Sequence, residues 1–131
     1  MTQLQLSKSL ILIRGVQGSG KSTLASFYIE KGYKHFEADM WFHKDGTYKW
    51  FKEGLHAAHT WCQQSADDAM KEGHNVVVSN TFIKRKDLKP YMESAEKHGY
   101  VVQEIICKGR FQNIHGVDPA VVEQKMLEFQ L

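Results

Sequence analysis

Behind a polar lead the chain carries four consecutive apolar residues, Leu10 to Ile13, the pattern of a strand covered on both faces of a parallel sheet. The run ends at Gly15. Beyond it, Leu24, Ala25, Tyr28 and Ile29 recur at helical spacing within 21–31, and Gly32 closes that helix. A short strand is predicted over Tyr33–Ala38, delivering Asp39, followed by an irregular aromatic stretch to Phe51 with a turn at Asp45-Gly46. Leu55, Ala58, His59, Cys62, Ala66 and Met70 mark a helix from Gly54 to Lys71, ended by Gly73. Val76–Val78 reads as a second buried strand, Asp87–His98 as a helix closed by Gly99, and Tyr100–Cys107 as a further strand. Pro90 falls in the first turn of its helix, and Asp118-Pro119 opens the last one with Asp118 as N-cap, places where a missing N–H costs little. Met126, Leu127 and Phe129 form a stripe expected to pack back on the sheet.

Strands alternate with helices, and no repeat, low-complexity segment or long linker interrupts them. The expectation is a single α/β domain over residues 1–131. Composition agrees: 42% hydrophobic and 24% charged residues exclude a disordered chain. No apolar run near the start approaches the roughly 18 residues of a membrane span, and no cleavage site follows it, so neither secretion nor a membrane is expected. Cys62 and Cys107 lack any paired spacing, which suits a reducing compartment and places the protein in the cytoplasm. A formal net charge of +2 is too mild to announce nucleic acid, so that reading must rest on local clusters.

The strongest chemical signal lies between the first strand and the first helix. Gly15-Val16-Gln17-Gly18-Ser19-Gly20-Lys21-Ser22 fits G-x-x-x-x-G-K-[ST] at every fixed position, in the strand–loop–helix context that gives the motif meaning, with Thr23 next in the helix. Glycines let the backbone wrap phosphate oxygens, and the helix N-terminus adds positive potential. Lys21 reaches the β/γ-phosphates, and the Ser22 hydroxyl ligates Mg²⁺. The cofactors expected are therefore ATP and Mg²⁺. Asp39 follows the second strand at the carboxyl edge, where open α/β sheets place their ligands. A carboxylate there can take a hydroxyl proton or help hold the metal, whereas its plainer role is a cap or surface acid.

These residues resemble a family, the small P-loop kinases related to the kinase domain of phage polynucleotide 5′-kinase, including domains labelled AAA-type ATP-binding. The likeness covers nearly the whole chain. Besides Gly15–Ser22 it rests on Glu37-Ala38-Asp39-Met40, Asp45-Gly46-x-Tyr48, Ala58-His59-x-Trp61-Cys62, Val78-Ser79-Asn80-Thr81 and Asn113-Ile114-His115-Gly116-Val117. It implies a three-layer fold with four parallel strands ordered second, third, first, fourth, and a short lid. It also implies transfer of the ATP γ-phosphoryl group to a hydroxyl, with Lys21, Asp39 and Arg110 catalytic: Asp39 as the acceptor-activating carboxylate and Arg110 as the lid arginine. Asn80 and Thr81 match the acceptor side, and His115 matches a lid-anchoring or adenine-side position. Many relatives carry an aspartate where Ser79 or Asn80 stands, so the usual carboxylate of the metal shell is missing or displaced.

Other clusters bear on the acceptor. His56, His59 and Cys62 are metal-ligand types at three-residue spacing, but three ligands on one helix converge poorly, and His59 is assigned to the acceptor pocket or the core instead. Lys84-Arg85-Lys86 with Lys89, near the rings of Trp41, Phe42, Tyr48, Trp50 and Phe51, suits a single-stranded nucleic acid end, with Arg85 the named acceptor contact. The same charges also fit a solvated helix face. A polynucleotide 5′-hydroxyl thus leads among acceptors, ahead of a small hydroxyl substrate. The rival readings are an NTPase with water as acceptor and a nucleotide-switched protein that docks a protein partner.

Overall fold

The computed structural model describes residues 8–109 and 119–131. Four parallel strands form the central sheet: β1 (Ser9–Arg14), β2 (Lys34–Phe36), β5 (Val76–Asn80) and β6 (Val101–Ile106), in the order β2-β5-β1-β6. That is the order second, third, first, fourth expected from the family resemblance. The two central strands are buried throughout or nearly so, which is why they read as unbroken apolar runs.

Strand alternation divides the core into two faces. Leu10 and Leu12 of β1 join Val76 and Val78 of β5 against α2 (Leu55–Lys71) and α3 (Lys89–His98), meeting Ala58, Cys62, Ala66 and Tyr91. Ile11, Ile13 and Val77 face the other way, against Ala25 of α1 (Lys21–Glu30). Sheet and helices therefore make three layers. The last helix, α4, spans Pro119–Glu128.

Several boundaries differ from the sequence expectation. The strand Val76–Val78 continues to Asn80, because Ser79 and Asn80 find buried polar partners. The strand expected over Tyr33–Ala38 pairs only over Lys34–Phe36, and Ala38–Phe42 coils into a 3₁₀ turn that carries Asp39. The helix expected from Asp87 begins as a 3₁₀ turn, Arg85–Leu88, with the Lys84 N–H donating to Asp87 Oδ2 at 3.1 Å. Pro90 then sits in the first turn of α3, as expected. Within the aromatic stretch, β3 (His43–Lys44) and β4 (Thr47–Tyr48) form a hairpin. Asp45 and Gly46 both take positive φ there, 54° and 75°, the requirement of a two-residue turn matched to strand twist.

One buried charge ties the sheet to the C-terminal tail. Arg14, the last residue of β1, is fully buried. Its Nε and Nη2 donate to the Phe82 carbonyl at 3.1 and 2.9 Å, Nη1 donates to Glu104 Oε1 at 2.7 Å, and Nη2 also donates to the Gln130 carbonyl. The Phe129 ring covers the guanidinium at 4.6 Å. Phe82 adopts a left-handed φ of 45°, which costs about 1–2 kcal/mol for a residue with a Cβ. The grip of Arg14 on its carbonyl and the Tyr91 ring at 5.4 Å offset that cost.

Glu104 also receives Arg85, at 3.0 and 3.1 Å. The Arg85 hydrogen bond, with help from Arg14 and against partial burial, holds the Glu104 carboxyl below its ordinary value of 4.5. A lowered carboxyl pKa contributes stability that is complete above the ordinary value and lost as pH falls through the lowered one. Glu104→Gln should therefore cost about 2 kcal/mol at neutral pH by urea unfolding, since it strips a buried guanidinium of its counter-charge. The gap to the unsubstituted protein should narrow below pH 4.5.

Candidate functional site

Residues 15–20 cross from β1 to α1 at the carboxyl edge of the sheet. Gly18 and Gly20 hold φ of 80° and 100°, conformations open to glycine at little cost. The loop is strapped on both sides. The Gly15 N–H donates to the Thr81 carbonyl beyond β5, the Cys107 N–H donates to the Arg14 carbonyl, and the Gly109 N–H donates to the Ser19 carbonyl, at 3.2, 2.7 and 3.2 Å. A Cβ on Gly15 would lie 2.3 Å from Ser19 Oγ and 2.8 Å from the Cys107 carbonyl oxygen, so no side chain fits.

This cradle suits a phosphate chain. Gly20 caps α1 without a side-chain hydrogen bond, and the first turn holds no acidic residue, so its free N–H groups and dipole favour an anion. Ser19 Oγ and Gln17 Oε1 are buried without a hydrogen-bond partner. Lys21 Nζ donates to the Val16 carbonyl at 3.1 Å, folded over the loop it would share with phosphates. Burial lowers the pKa of Lys21, and the nearby Glu37 carboxylate opposes that shift. Ser22 and Thr23 are exposed at the start of α1. Beside the loop, a cavity of about 280 Å³ is bounded by Val16, Cys107, Lys108, Met126 and Phe129. Met126 and Phe129, read in sequence as a stripe packing on the sheet, thus line a space next to the phosphate loop.

Across the same edge, the β2 side supplies two carboxylates. Asp39 accepts a hydrogen bond from the Tyr48 hydroxyl at 2.6 Å. Partial burial and that bond push the Tyr48 pKa up to about 12. Glu37 Oε2 accepts from Ser79 Oγ at 3.1 Å, and His35 Nε2 lies 2.7 Å from the same hydroxyl. Burial holds His35 below the usual histidine value, against the pull of Glu37. Ser79 is buried, so its hydroxyl serves as a link between His35 and Glu37 and is not open to a substrate.

The structure separates the remaining candidates. Asn80 is buried, with Oδ1 accepting the Ala38 N–H at 2.9 Å and Nδ2 reaching Cys62 Sγ at 3.7 Å. It fixes the turn that carries Asp39. Thr81 offers its carbonyl to the loop, and His59 lies on the exposed side of α2. The Arg85 guanidinium is taken up by Glu104 and the Leu131 carbonyl. Arg110 and His115 lie outside the described residues. No group of three or more potential metal-binding His, Cys, Asp or Glu side chains occurs among the described residues, so His56, His59 and Cys62 do not form such a site.

Near Asp39 the hairpin displays rings. Trp41, Phe42 and Phe51 converge on Gly54, where a Cβ would meet each of them at 2.8 to 2.9 Å. Trp50 and Phe51 are exposed, and Lys44 Nζ stands 4.4 Å from the centre of the Trp41 ring. A second cavity, of about 330 Å³, opens between Phe42, Lys44, Lys49 and Phe51.

A parallel β2-β5-β1-β6 sheet, with a phosphate loop leading into α1 and carboxylates across its carboxyl edge, defines a P-loop protein of the kinase fold. The chain belongs to the AAA domain family, whose model matches residues 10–110. It is 31% identical over 133 residues to human NEDD4-binding protein 2, a match that takes in 92% of this chain and spans only 8% of that protein. A chain of the Pnkp1/Rnl/Hen1 RNA repair complex superposes with a TM-score of 0.72 at 15% identity, over 98% of this chain and 46% of that one. The Mycobacterium tuberculosis APS kinase CysC, solved with AMPPNP and APS, gives 0.60 at 19% identity, over 92% and 74%.

Gly15→Ala tests the cradle directly. Nucleotide affinity should fall by about 10-fold or more in calorimetric titration, because the loop must shift to admit the methyl group. An unchanged affinity would mean that phosphates do not bind against this loop.

Proposed function

We propose that the protein transfers the γ-phosphoryl group of ATP to a hydroxyl, with a polynucleotide 5′-hydroxyl end as the leading acceptor. The observation that carries this reading is Asp39: at the same carboxyl edge as the phosphate loop, its carboxylate already accepts a hydroxyl hydrogen bond, from Tyr48 at 2.6 Å. In the reaction an acceptor oxygen forms a bond to the γ-phosphorus, the bond to the β–γ bridging oxygen breaks, ADP leaves, and Asp39 takes the hydroxyl proton.

The residues divide this work. Loop amides and Lys21 hold the β- and γ-phosphates, and Ser19 Oγ, lacking a protein partner, is free to donate to one. The apolar cavity beside Val16, Met126 and Phe129 takes the base. Hard oxygen donors fit magnesium, which Ser22 would hold with phosphate oxygens, with Asp39 a further candidate; the ion neutralises phosphate charge. By the family resemblance, Arg110 is the candidate to neutralise charge on the transferred group. Exposed Trp50 and Phe51 with Lys44 and Lys49 support a nucleic acid acceptor, since rings stack on bases while lysines meet phosphates. The RNA repair complex among the structural neighbours is consistent with that acceptor class.

The test follows labelled γ-phosphate from ATP onto 5′-hydroxyl DNA and RNA oligonucleotides, nucleosides, and no acceptor. Label should appear on an oligonucleotide end, and Asp39→Asn should lower transfer by about 100-fold or more with ATP affinity retained. Free phosphate alone would identify an NTPase. ATP binding without turnover would identify a nucleotide-switched binding protein.

A further inference from the structure

The β5 strand of this chain ends in Val78-Ser79-Asn80 and offers no carboxylate to a metal–nucleotide site. Strand register shows what stands in that place. Ile13 pairs with Ser79 across β1 and β5, and His35 pairs with Val77 across β2 and β5. Ile13 and Val77 pack against α1, so by alternation Ser79, His35 and the following Glu37 lie on that same side of the sheet. That side carries the start of α1, with Lys21 and Ser22. Asn80 instead points to Cys62 of α2, on the opposite side.

We propose that Glu37, reaching over from the end of β2, supplies the carboxylate of the magnesium–nucleotide site that β5 lacks, with Ser79 as its positioning residue. This rests on the nucleotide-binding reading above. His35, in its Nε2–H form, donates to Ser79 Oγ at 2.7 Å, and Ser79 donates to Glu37 Oε2 at 3.1 Å. That chain of bonds occupies Glu37 Oε2 and fixes the carboxylate's orientation. The Glu37 carboxylate also opposes the burial-driven fall in the Lys21 pKa, the effect of a negative charge on the same side of the sheet. A single carboxylate suffices, because magnesium on a nucleotide keeps most of its waters and takes further oxygens from phosphate.

The experiment compares ATP affinity by calorimetry in Mg²⁺ and in EDTA. For the unsubstituted protein Mg²⁺ should tighten binding; no ATP binding at all would overturn the nucleotide reading and this inference with it. Glu37→Gln should reduce the Mg²⁺-dependent gain by about 10-fold or more while leaving affinity in EDTA intact, the size expected of a group that orients a metal shell. Adding Ser79→Asp to Glu37→Gln should restore the gain, by returning a carboxylate to β5. The inference falls if Glu37→Gln keeps the full gain. It falls equally if affinity drops alike in Mg²⁺ and EDTA, which would make Glu37 only a partner of Lys21, or if Asp39→Asn alone removes the gain.

Discussion

The arrangement hangs on a guanidinium placed where water cannot reach it. Arg14 closes β1 and immediately precedes the phosphate loop, and burying its charge is tolerable only because carbonyls and Glu104 take up its donors. Those partners come from distant parts of the chain: the Phe82 turn after β5, the β6 strand, and the tail at Gln130. One side chain thus fixes the loop's root against the two strands that flank it. The wall of the cavity beside the loop is set by the same contact, since Phe129 lies on the guanidinium.

Strand alternation then distributes the chemistry. On the α1 side, His35, Glu37 and Ser79 form one polar chain next to the phosphate cradle. On the α2 side, Asn80 holds the Ala38 N–H and so aims the turn that presents Asp39. The two carboxylates, two residues apart in sequence, are governed by opposite faces of the sheet. Such a division lets each be held by its own neighbours.

Much of this was legible in the residues. The apolar runs at Leu10–Ile13 and Val76–Val78 mark strands buried on both faces, and the loop motif marks the phosphate site without tertiary information. Asp45-Gly46 marks the hairpin because its turn demands positive φ. Arg14 belongs to no motif, yet an arginine directly after four apolar residues and before a glycine is already a charge in need of a buried partner. The partner itself was not legible: nothing local joins Glu104 to residue 14 or to Arg85, whose lysine neighbours suggested a solvated or nucleic-acid-facing patch. β2 stops short of its expected end because the Ala38 N–H is taken by Asn80 Oδ1 and the chain coils there, whereas β5 runs on although polar residues normally signal departure from a core. Here Ser79 and Asn80 stay within it, satisfied by side chains and backbone brought in from Cys62, His35, Glu37 and Ala38.

Under the kinase reading, the phenol resting on Asp39 bears on economy of ATP. The Asp39 oxygen engaged by Tyr48 at 2.6 Å must give up that bond before it takes a proton by the same path, and a water has no contacts elsewhere on the molecule with which to displace a phenol. A large acceptor gripping the rings and lysines of the hairpin can move that phenol aside with binding energy drawn from elsewhere on the molecule. On that reading, the contact favours a large acceptor over water at that oxygen, because the phenol belongs to the hairpin that such an acceptor would engage.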